Sequence, residues 1–116
     1  MLTLTEAKAY LRVDSDFEDD LIASLIASAQ SLCMSVARLT AEEWDAIVTH
    51  TRESGDSLLI RGDIVPAAEV QSIRENLRTG MLYTLGYLYE HREEADHHDL
   101  VLTLRSLLFA VREGVV

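Results

Sequence analysis

Between Pro66 and Tyr89, apolar residues recur at Val70, Ile73, Leu77, Met81, Leu85 and Leu88, steps of three and four that wind one stripe along a helix. Towards the end of the run the stripe widens. Met81-Leu-Tyr-Thr-Leu-Gly-Tyr-Leu-Tyr89 is apolar nearly all round, and such a helix is surrounded by neighbours rather than lying on a surface. The rest of the chain is therefore expected to wrap this helix. Pro66 suits its first turn, where the missing amide would be unpaired anyway. Gly80 and Gly86 each cost about 1 kcal/mol against Ala in a helix interior, so a close helix approach is expected there.

What wraps it should also be helical. The 116 residues include one proline and five glycines, and 48% are hydrophobic, enough for a real core in one domain spanning 1–116. The expectation is an all-α fold, a small bundle of about five helices, two long and three short, with a short extended or irregular segment near 53–65.

Thr5 is placed to cap a first helix through Arg12, in which Ala7, Tyr10 and Leu11 share a face. Val13-Asp14 then breaks the pattern, and Ser15-Asp-Phe-Glu18 reads as a capping box that starts a second helix near Asp16. Glu18, Asp19 and Asp20 lie in its first turn, where the macrodipole favours carboxylates. Its stripe is Phe17, Leu21, Leu25, Ala29, Leu32 and Val36, widened by Ile22, Ile26 and Cys33, with an end near Arg38. Thr40-Ala-Glu-Glu43 is a second capping box, for a short helix to about His50 or Arg52. Leu58-Leu-Ile60 reads as a short extended piece closed by a turn at Arg61-Gly-Asp63. That triplet is also the integrin-binding signal; without an export signal the turn reading is preferred. Asp99 is placed to cap a final helix with Leu100, Leu104, Leu107, Leu108 and Val111 on one stripe. Leu102 and Phe109, seven apart, form a second line, and Val115-Val116 adds further apolar surface. A terminal helix with two apolar faces in so small a domain is expected to place one against another chain.

Charge and chemistry narrow the function. Twenty acids against ten Lys plus Arg give a formal charge of −10, with Lys8 the only lysine, which argues against tight binding to phosphate backbones. Cys33 is the lone cysteine and reads as a small core residue, excluding disulfide or Cys-rich zinc frameworks. No stretch has the ~18 apolar residues of a spanning helix, and the first residues lack a signal peptide's pattern, so a soluble protein made in a cytoplasm is expected. His91, His97 and His98 with Asp96 and Asp99 are weighed as a metal cluster and set aside, since no ligands stand at fixed helical spacing. Glu90, Glu93 and Glu94 have no nucleophile or phosphate loop beside them, and Ser24, Ser28, Ser31 and Ser35 are a polar helix edge with no His or Asp tied to them. Tyr83, Tyr87 and Tyr89 lack interleaved cations and read as core and subunit packing rather than base-stacking platforms. No enzyme, cofactor or metal site is expected.

Two blocks carry a resemblance. Leu4-Thr-Glu-Ala-Lys-Ala-Tyr-Leu-Arg-Val-Asp14, with Glu18-Asp-Asp-Leu-Ile22 and Ala27-Ser-Ala29, resembles the start of the head-tail connector (adaptor) proteins of tailed bacteriophages and prophages. Met81-Leu-Tyr-Thr-Leu-Gly-Tyr-Leu-Tyr-Glu-His-Arg-Glu93, followed by Leu107-Leu-Phe-Ala-Val-Arg112, is similar to the second half of the same family. Leu39 to Val65 has no counterpart in the resemblance. It implies a helical subunit that forms a ring, commonly twelvefold, in the virion neck beneath the portal and is made in the bacterial host cytoplasm. Its implied partners are other copies, the portal and a tail-side completion protein, with DNA passing through without tight binding and no membrane involved. Interface candidates are Leu102, Phe109, Val115 and Val116, with Arg92 and Glu93 at the end of the second block. The alternative is a small acidic regulatory or inhibitor protein that binds a cellular partner through its C-terminal helix.

Overall fold

The computed structural model describes residues 1–50, 56–91 and 97–113. In chain order the elements are α1 (Leu4–Leu11), α2 (Asp19–Val36), α3 (Ala41–Thr49), β1 (Leu58–Ile60), β2 (Asp63–Val65), α4 (Ala67–Glu90), α5 (His98–Leu107) and α6 (Phe109–Glu113). The all-α bundle with one short extended segment is thus what the chain adopts. Two helices are long, α2 with 18 residues and α4 with 24. The described helices number six rather than about five because the last one breaks at Leu108.

α4 is the centre of the bundle. It buries Val70, Ile73, Leu77, Met81, Leu85 and Leu88, the whole expected stripe, and adds Gly80 and Thr84. Both helical glycines sit where another side chain comes close. A Cβ on Gly80 would lie 3.1 Å from Leu108 Cδ2, and one on Gly86 would lie 3.4 Å from Tyr10 Cε2. Six residues apart on a helix, the two approaches face directions about 120° apart, so α1 and the C-terminal helices occupy different sides of α4. α2 crosses α4 through small residues: Ala29 and Cys33 are fully buried, and Cys33 Sγ lies 3.6 Å from Thr84 Oγ1. Thr84 Oγ1 in turn donates to the Gly80 carbonyl at 2.7 Å, which settles a buried hydroxyl within its own helix.

The N-terminal corner departs from expectation. Thr3, not Thr5, caps α1, and its hydroxyl accepts from the Glu6 amide while Glu6 returns to the Thr3 amide. Ser15 and Glu18 form no capping box; α2 begins at Asp19, three residues after Asp16, with no side-chain cap. The cause is Lys8, whose ammonium stands 3.1 Å from Asp16 and 2.8 Å from Asp19. These carboxylates tie the corner to α1, and Phe17, expected at the head of the buried stripe, is 96% exposed.

Both α1 and α2 end in a left-handed residue, Arg12 at φ 60° and Arg38 at φ 59°. The following amides, of Val13 and Leu39, bond back to the carbonyls of Lys8 and Met34. This is the Schellman closure, with arginine where glycine is the usual occupant. α2 therefore stops at Val36 rather than near Arg38.

Thr40 and Glu43 form the expected reciprocal capping box at the start of α3. The extended piece is half of a hairpin, β1 pairing antiparallel with β2 in the register Leu58↔Val65, Leu59↔Ile64 and Ile60↔Asp63. Its two-residue turn is Arg61-Gly62 at φ 50° and 83°, both positive as a tight turn matching the twist of the strands requires. Pro66 is the residue before α4 rather than part of its first turn, and Asp99 lies inside α5 rather than capping it.

Candidate assembly surface

Arg61 shows how the surface elements are held. Its amide donates to Glu43 Oε2 at 2.6 Å, and its guanidinium donates to the carbonyls of Ala37, at 2.9 Å, and Val111. One residue therefore ties the hairpin turn to the start of α3 through its amide, and to the end of α2 and α6 through its guanidinium. Burial opposes ionisation of Glu43, but the amides of Thr40 and Arg61 outweigh it and hold the carboxyl below the usual carboxylate range. The sequence marks Arg61 only as part of a turn. The available signal is the arginine itself, where a tight positive-φ turn usually has Asn, Asp or Gly.

Two of the histidines expected in a solvated loop, His91 and His97, pack on an aromatic. His91 stacks on Tyr87 with ring centroids 4.2 Å apart, and His97 meets Tyr87 edge-on at 6.0 Å. His50, in the segment with no quoted counterpart, is buried, its ring 2.7 Å from the Asp56 carbonyl and 2.8 Å from Gln71 Nε2. Among the described residues no three His, Cys, Asp or Glu side chains are grouped to hold a metal ion. Cys33 is buried, which pushes its thiol up. Among the described residues no single helix is long and apolar enough to cross a membrane.

The surface instead carries apolar side chains in ordered places. Leu102 is 47% and Phe109 56% exposed, so the second line of the last helix faces outward, while Leu100, Leu104, Leu108 and Val111 are buried. Leu107, expected among the buried residues, is half-exposed at the end of α5. Leu59 and Ile64, directly opposite in the hairpin, are 66% and 77% exposed. Arg92, Glu93, Val115 and Val116, the remaining interface candidates, lie outside the described residues. Along the side of α2 next to the end of α4 and the start of α5, the serine edge lines a groove of about 810 Å³, together with Leu21, Leu25, Leu32, Leu88 and His97.

Charge completes the picture. Asp14, Asp16 and Asp20 are exposed around Phe17 at the α1–α2 corner. Hydrogen bonds to Asp19 and then Asp16 hold the Lys8 ammonium above the usual lysine range, and Glu6, bonded by the Thr3 amide and paired with Arg78 at 2.7 Å, is held below the carboxylate range.

A small helical protein with ordered apolar stripes on its surface, and side-chain chemistry used for caps, clamps and packing, is of the class built for association with other proteins. A family model described as "Phage gp6-like head-tail connector protein" matches residues 1–113. The chain belongs to this family of phage structural proteins. The match spans Leu39 to Val65 as well, so the middle segment, which the resemblance left without a counterpart, is part of the family's domain. Searches of curated proteins and of solved structures gave no match.

Proposed function

We propose that the chain forms a closed ring at the head–tail junction, joining the portal of the DNA-filled head to the tail and continuing the DNA channel. The observation that carries this reading is the family match over residues 1–113; the outward line of Leu102 and Phe109 supports it by supplying a surface for a neighbour. Its partners in this reading are further copies, twelve in the commonest arrangement, the portal on one side and a completion protein on the other. The subunits are made in the bacterial cytoplasm and end in the virion neck.

The formal charge of −10 per chain suits a conduit. A twelvefold ring carries roughly −120 charges, and a wall of like sign lets DNA slide because no strong phosphate contacts must be broken. Screening confines that repulsion to about 8 Å at physiological salt.

The test is co-sedimentation of the purified protein with portal complexes, with the mass of the product measured. A defined multiple of the subunit on each portal is expected. A protein that neither binds portal nor self-associates at any concentration would sink the proposal.

A further inference from the structure

The α2 groove and the outward line of the last helix match each other in shape and charge. Leu102 and Phe109 are two large knobs seven residues apart, about 10.5 Å along a helix. The helical register carries across the break between them, since the Leu108 amide bonds the Leu104 carbonyl and the Arg112 amide bonds the Leu108 carbonyl, both at 2.8 Å. In the groove, Ser24 and Ser31 are small side chains also seven residues apart, between the larger Leu21, Leu25 and Leu32. Knobs at a spacing of seven facing holes at a spacing of seven are the geometry of interlocked helices.

Charge selects the direction. Along α2 the groove is lined from Leu21 to Ser35, with Asp20 just before it and Arg38 just beyond, and the stripe lies between Asp99 and Arg112; the side chains of Asp20, Arg38 and Asp99 make no ion pair among the described residues. With Phe109 opposite Ser24 and Leu102 opposite Ser31, the helices are antiparallel, Asp99 approaches the Arg38 end, and Arg112, already paired with Glu113 at 2.6 Å, brings no net charge to the Asp20 end. The reverse direction sets Asp99 beside Asp20, and like charges at an interface are penalised.

We propose that the Leu102–Phe109 stripe of one copy docks antiparallel in the α2 groove of a second copy. The inference rests on the ring reading above and names its contact. Groove and stripe are different surfaces of one chain, so a docked pair still offers one free groove and one free stripe. Such a heterologous contact propagates and closes into a ring when the rotation permits.

Two variants test this, Ser31→Trp to fill a hole and Phe109→Asp to remove a knob, with circular dichroism confirming the fold and Leu102→Asp replacing Phe109→Asp if the latter unfolds. Wild type, each variant and their mixture are sedimented free and on purified portal. The expected result is assembly of wild type, neither variant assembling alone, and a 1:1 dimer in the mixture that grows no further, because one intact groove meets one intact stripe. Assembly of either variant like wild type overturns the contact, as does a mixture that stays monomeric while wild type assembles; both outcomes leave the ring standing. Wild type that stays monomeric free and binds portal only as single copies overturns contact and ring together, while portal binding still supports membership of the junction.

Discussion

Replacing Gly80 by alanine, alone and together with Leu108→Ala, probes the contact that fixes the last helix on α4. In the helix interior Gly80→Ala gains about 1 kcal/mol of helix propensity. The new methyl would lie 3.1 Å from Leu108 Cδ2 and 3.5 Å from both Cδ1 and Cγ, against the ~3.5–4.0 Å of an unstrained carbon contact. All three outer atoms of the leucine are close, so rotation about its χ2 exchanges one methyl for the other and opens little room. Leu108 is fully buried and cannot swing into solvent. Overpacking of this kind costs roughly 1–3 kcal/mol, which leaves Gly80→Ala destabilising by up to about 2 kcal/mol.

Leu108→Ala should cost about 2–5 kcal/mol as a core truncation. In that background the obstacle is gone, so adding Gly80→Ala should raise stability by about 1 kcal/mol. The sign reversal is the prediction: the pair is coupled by roughly 1–3 kcal/mol, well above the ~0.5 kcal/mol within which independent sites add. Urea unfolding followed by circular dichroism at one fixed protein concentration measures all four chains. Gly80→Ala stabilising wild type and the Leu108→Ala variant equally would refute the contact.

Arg12→Gly should stabilise the chain by about 0.5–1 kcal/mol, because relief of ~1–2 kcal/mol of left-handed strain exceeds the backbone entropy that glycine loses; a lower urea midpoint would contradict this. Glu43 and Glu6 have carboxyl pKa values held below the ordinary range, so their stabilisation is fully present above about pH 4.5 and is lost as pH falls through the folded values. Glu43→Gln should therefore flatten, without abolishing, the acid limb of a stability-against-pH curve, and an unchanged limb would show that the Thr40 and Arg61 amides do not hold an ionised carboxylate. Cys33, buried and with its thiol pushed up, should react with a thiol reagent only as the chain unfolds, so labelling rate against urea should follow global stability.

The central helix was legible because its signal is redundant. Six apolar positions at helical spacing all agree, and Val70 to Leu88 are buried as the spacing predicts. The capping box at Thr40 was legible for a related reason: donor and acceptor lie three residues apart, and the one distant donor, the Arg61 amide, takes Glu43 Oε2 and leaves Oε1 to the Thr40 amide. The box at Ser15 failed because something did. Lys8 reaches Asp16 and Asp19 from another helix, and a tertiary ion pair cannot be read from local spacing. Phe17 was lost with it, since the corner that holds the carboxylates turns the ring out to solvent. The left-handed arginines are equally silent in the sequence, because a helix end is signalled by glycine, and Arg12 and Arg38 resemble any exposed cation.

The association surface divides in the same way. The outward line of Leu102 and Phe109 was visible as a seven-residue interval beside a complete core stripe, because a helix needs only one face for its own domain. The groove was not, since Ser24, Ser28, Ser31 and Ser35 read as an ordinary polar edge until Leu21, Leu25 and Leu32 are seen to flank it. Periodicity shows that a helix has a second face but not whether that face is covered by solvent, by its own chain or by a neighbour. α2 displays the ambiguity most fully. Ile22, Ala29, Cys33 and Val36 are buried within the domain, while the opposite edge is open, so one amphipathic pattern serves both folding and the proposed assembly. If groove and stripe do meet, a substitution such as Ser31→Trp separates those roles. It should leave the urea midpoint of the monomer unchanged and abolish association, whereas truncation of Ile22 should lower both.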